Sequence, residues 1–116
     1  MTDETARKLQ ILYDVGKLNK EDLAFIRSVD QYLVQAIGET DSEMFLIHLS
    51  VALERSRKQE SVDALPNDLW SQVKTAPEYQ RALAIWNHVA SFRPVDFSNL
   101  ETRYIMLHLV NILRRG

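Results

Sequence analysis

Apolar residues spaced three and four apart, over segments that only three glycines and three prolines interrupt, are what most constrains this chain. That period is the mark of amphipathic helices, each with one face to bury. A β-strand would instead alternate apolar and polar residues between Gly-rich turns, and no segment does so cleanly. The expected fold is all-α, a compact bundle of five to six helices. At 116 residues the chain suits one core, so residues 1–116 are expected to form a single helical domain.

The breaks place the helices. A first runs from Asp3 to Asp14, with Leu9, Leu12 and Tyr13 inward, and stops near Gly16. A second is capped by Asn19 and ends at Gly38, burying Leu23, Ile26, Val29, Leu33 and Ile37. Thr40-Asp41-Ser42-Glu43 has the form of a capping box, opening a third helix through Gln59. Apolar residues wrap most of the way round this third helix (Met44, Phe45, Leu46, Ile47, Leu49, Val51, Ala52, Leu53), which predicts a central position or one between core and partner. Pro66 starts a short helix through Lys74. A fifth, Glu78 to Phe92, follows Pro77 and turns Leu83, Ile85, Trp86 and Val89 inward. Ser98-Asn99-Leu100-Glu101 is a second capping-box pattern, opening a last helix through Arg114.

Composition then removes whole classes of function. The formal net charge is −2, against the basic surface that non-specific nucleic-acid binding needs, so no direct nucleic-acid partner is expected. With no cysteine there is no disulfide, thiolate metal site or thiol nucleophile. Neither a signal peptide nor a membrane-length apolar run is visible, and a cytoplasmic protein is expected. Ser50 and Ser61 lack a nucleophile elbow, and no glycine-rich phosphate loop occurs, so enzymatic activity and bound cofactors are not expected. Trp70 and Trp86 read as core or interface anchors.

His48 and His108 remain. Each sits in a long apolar helix, and the neighbours four residues away on its face are Met44 and Ala52, or Tyr104 and Ile112. An imidazole titrates near 6.5, so much of it is neutral at pH 7 and keeps a lone pair that can attack an activated phosphoryl group. The product would carry roughly −1.5 to −2 charges, which an apolar face tolerates only if it opens or gathers cations. Such an acceptor acts as a switch. Two plainer readings compete. Histidines on apolar faces are commonly structural, and His48, His88 and His108 could meet as metal ligands, although none has the spacing of a helical metal site, and no metal is expected. Arg55, two turns beyond His48, could steady a phosphate, pair with a carboxylate or be solvated.

Two motifs carry a family resemblance. The stretch Phe45-Leu-Ile-His48-Leu-Ser-Val-Ala-Leu-Glu54-Arg55 and the stretch Glu101-Thr-Arg-Tyr-Ile-Met-Leu-His108-Leu-Val-Asn111 place their histidines sixty residues apart. Between them lies Pro77-Glu-Tyr-Gln-Arg-Ala-Leu-Ala-Ile. Over residues 22–114 this pattern resembles the PTS regulation domain, or PRD, of bacterial sugar-responsive regulators, with residues 1–18 an additional N-terminal helix. The resemblance implies a helical, homodimeric regulatory domain of the sugar phosphotransferase system. It implies that His48 and His108 accept phosphoryl groups from the phosphocarrier HPr or an enzyme IIB, with Arg55, Glu101 and Asn111 in support and Glu54 also matching. Modification would act on transcriptional regulation through protein contacts. Ile47 stands where the family often has an acidic residue, and Arg103 where it often has glycine. Family domains normally come in pairs fused to nucleic-acid-binding modules; this chain is expected to be a stand-alone domain that acts in trans, or one whose acceptor function has decayed.

Overall fold

A computed structural model describes residues 1–115, and every regular element among them is a helix. Helix α1 (Asp3–Asp14) is capped by Thr2, whose hydroxyl accepts from Thr5 N at 3.1 Å. Gly16 takes φ +83° and turns the chain so that buried Leu18 plugs the core. Helix α2 (Lys20–Ile37) begins as its sequence predicts: the Asn19 side chain accepts from Asp22 N at 2.8 Å. Leu23, Ile26, Val29 and Leu33 form its buried stripe, joined by Phe25.

Helix α3 (Glu43–Arg57) departs from expectation at both ends and around its circumference. The residues at 40–43 do not form a capping box. Ser42 holds the cap position without a side-chain bond, and Glu43 reaches across to α1 instead. Nor does the helix run to Gln59, which adopts a left-handed φ of 57° two residues after its end. Met44 is 72% exposed and Val51 47% exposed, so the wrapped apolar surface resolves into a buried side and an open one. Phe45, Leu46, Leu49, Ala52 and Leu53 fill the buried side.

Helices α4 (Asn67–Thr75), α5 (Tyr79–Ala90) and α6 (Asn99–Arg115) complete the order. The fifth is shorter than the expected span to Phe92, which is left 44% exposed. Half of the second capping box forms: Ser98 Oγ accepts from Glu101 N at 3.1 Å, while the Glu101 carboxylate turns inward. All six helices give residues to one apolar cluster, from Leu9 through Ile26, Leu46, Val73 and Ile85 to Ile105. Trp86 is buried in it as expected, and half-buried Trp70 packs against it. The Arg103 guanidinium lies 5.0 Å from the centre of the Trp70 ring, a cation–π contact that ties α4 to α6. Helix α3 packs against α1, α2 and α6, which brings its histidine to the last helix. Among the described residues no helix is long and apolar enough to cross a membrane.

Candidate functional site

His48 lies midway along α3 and His108 midway along α6. Because these helices pack together, residues sixty positions apart in sequence bring their rings to a centroid separation of 4.7 Å, tilted by 39°. Tyr104, one turn before His108, lies 5.8 Å from the His48 ring, and Phe45 lies 6.5 Å from that of His108. The Tyr104 hydroxyl donates to Asp63 O at 3.0 Å and pins the α3–α4 loop alongside.

The pair opens into a groove of about 1000 Å³. Its walls come from three helices and a loop. Helix α3 gives Met44, Ile47, His48 and Arg55, α6 gives Tyr104, Leu107 and His108, and α1 gives Lys8, Ile11 and Leu12. This last wall is not legible in the amino-acid pattern, since nothing local in α1 says which helix it covers. The link is Glu43, freed from any capping role. It accepts from Thr5 Oγ1 and Lys8 Nζ, both at 2.9 Å, and clips α1 to the start of α3.

Behind the histidines sits a buried ion pair. Arg55 donates to Glu101 through Nε at 2.9 Å and through Nη2 at 3.4 Å, and Glu101 is only 2% exposed. Of the three roles open to Arg55, the structure selects carboxylate pairing. Burial still pushes the Glu101 carboxyl above its ordinary range, with Arg55 pulling the other way. A matching clamp lies farther along α3, where Arg57 pairs with buried Asp22 of α2.

The ring electrostatics follow from burial. His48 Nε2 is enclosed and has no hydrogen-bond partner; the Glu101 carboxylate lies 3.9 Å away, beyond bonding range. Burial, reinforced by His108 and Arg55, lowers His48 to about 4, so at neutral pH this approach joins a neutral ring to a carboxylate and is not an ion pair. His108 is lowered too, by burial and then by Arg115. Both rings are therefore neutral at pH 7 and hold a lone pair.

The remaining residues fall elsewhere. Asn111 is exposed and lines a smaller neighbouring cleft with His108 and Arg115, outside the main groove. Glu54 pairs with Lys58 at 2.7 Å and faces Lys17. His88 does not line the groove; it is exposed and stacks on Tyr32 at 4.0 Å. Among the described residues no three histidines and carboxylates are grouped to hold a metal.

The family model of the PRD domain matches residues 23–112, which takes in both histidine helices. The chain belongs to the PRD domain family. It is also similar to the probable licABCH operon regulator of Bacillus subtilis (strain 168), at 29% identity over 122 aligned positions. That similarity covers 98% of this chain and 18% of the relative, so the chain spans under a fifth of that protein's length. No solved structure matches. The PRD match begins at residue 23, so α1 and its groove wall lie outside it.

Proposed function

We propose that this PRD domain is a phosphorylation-responsive regulator of the bacterial sugar phosphotransferase system. A regulatory role accords with its family and with the relative's name. The finer assignment is that HPr or an enzyme IIB places a phosphoryl group on the histidine pair. The modified face then alters contacts with a second copy and with a transcriptional regulator, in the cytoplasm. One observation carries this reading: both motif histidines meet at 4.7 Å in one open groove, with neutral rings. A phosphoryl group needs a lone pair and a route in, and the groove supplies both.

The competing reading makes both histidines structural within a helical dimerisation domain. Structural histidines on apolar faces are held by hydrogen bonds to their ring nitrogens. His48 Nε2 has none, which favours the acceptor role. The test is incubation with phosphorylated HPr and, separately, with a phosphorylated enzyme IIB, followed by intact-mass measurement at alkaline pH. An acid-labile gain is expected in the wild type and in His88→Ala, and none in the His48→Ala/His108→Ala double variant. Failure of every donor to transfer would end the proposal.

A further inference from the structure

We infer that His48 and His108 are one acceptor site, holding a single phosphoryl group per chain on either ring but never one on each. This rests on the phosphorylation reading above and adds its stoichiometry and a task for the unmodified ring.

The geometry is the first reason. With centroids 4.7 Å apart, the two rings are in contact range, so a phosphoryl group on one lies against the other. The groove offers Lys8 and Arg55 as nearby cations, and Glu43 and Glu101 already engage both. Asp63 on the loop adds negative charge, and Arg115 stands on the far side of His108. One group of about −2 charges can draw on these cations; a second would face the first with nothing left to offset it.

The chemistry is the second reason. In the transfer, the P–N bond of a donor phosphohistidine breaks and its electron pair returns to the donor ring. The lone pair of the acceptor nitrogen forms the new P–N bond, and the acceptor ring keeps its proton on the other nitrogen. For His48 that other nitrogen is the enclosed Nε2, facing Glu101, so attack must come from Nδ1. Once a dianion sits on one ring, the opposite charge favours the protonated form of its neighbour. An imidazolium has no lone pair to give, so the first phosphorylation disarms the second acceptor. The protonated neighbour instead donates a hydrogen bond to the phosphoryl oxygens.

The chain has three histidines, so the test uses a His88→Gln background that leaves only this pair. The probe is phosphoramidate, a small donor that needs no protein partner, read by intact mass at alkaline pH. Saturation at one phosphoryl group per chain is expected. His48→Gln and His108→Gln, each checked for helical content, should still take one, and the variant lacking all three histidines none. Should a glutamine variant misfold, asparagine at the same position replaces it. In the singly loaded protein, nitrogen-15 shifts should show the unmodified ring protonated at neutral pH, which for His48 means a pKa raised by about three units or more. Two groups per chain overturns the inference, as does failure of either folded single variant to react. If phosphoramidate loads one group while neither HPr nor enzyme IIB transfers any, the shared site stands and the donor assignment fails.

Discussion

At the residue scale, Arg55 and Glu101 show how a side chain can be legible while its role is not. Both stand in the family motifs, and either could have been assigned to a phosphate. The structure spends them on each other, because a carboxylate 2% exposed needs a cation at bonding distance. Arg55→Ala should therefore destabilise the fold by about 2–3 kcal/mol, less than for a fully buried pair because Arg55 retains some exposure. A fall in the urea midpoint with unchanged slope checks this; no change would mean that water reaches Glu101. The histidines add a pH dependence. His48 titrates near 6.5 when unfolded and about 4 when folded, so between these values the unfolded chain binds the extra proton. Stability is full above about pH 6.5 and declines as pH falls toward 4, and lowered His108 acts in the same sense. Glu101 acts oppositely: raised on folding, it takes up its proton first in the folded state as pH falls. Comparing the wild type with His48→Gln isolates the histidine. From pH 7.5 to 5 the wild type should lose about 1–2 kcal/mol more than the variant. Parallel urea-midpoint profiles would contradict the buried neutral ring.

At the scale of elements, the faces of α3 can be tested directly. Leu46 is fully buried, so Leu46→Ala should cost about 2–5 kcal/mol, whereas Met44→Ala on the open side should stay within about 0.5 kcal/mol. Thermal midpoints distinguish these, and a large loss at Met44 would restore the fully wrapped helix that its sequence suggests. Helix positions were readable because spacing and caps are local: Asn19 and Ser98 cap their helices as their types predict. The failures share one cause. Glu43 has the spacing of a capping residue, yet Thr5 and Lys8 of α1 claim it, and Glu101 has the same spacing, yet Arg55 claims it. Local pattern cannot tell when a distant partner offers a better bond. The histidine pair is the reverse case. Nothing in the periodicity of α3 or α6 says that their rings meet; the motifs marked each histidine as an acceptor, and tertiary packing alone supplies the contact.

For the whole molecule, helices distant in sequence share one apolar cluster, and α1 belongs to it although it lies outside the matched PRD segment. Urea unfolding should therefore be one cooperative transition, with far-UV circular dichroism and methyl NMR signals tracing the same curve. An early, separate loss of helical signal would mean that α1 melts alone and that the groove loses its third wall first. A PRD domain that responds to phosphorylation must also transmit a small change beside α6 to something outside, and α6 already bears on a second element. Its Arg103 lies over Trp70, whose ring also meets Tyr79 of α5 edge-on at 6.1 Å. An indole held between a cation and a phenol emits according to how closely each approaches. The chain thus carries a built-in optical gauge: with the emission of core-buried Trp86 subtracted through a Trp70→Phe control, the emission colour and quenching of Trp70 report displacement of the His108 helix without any added label.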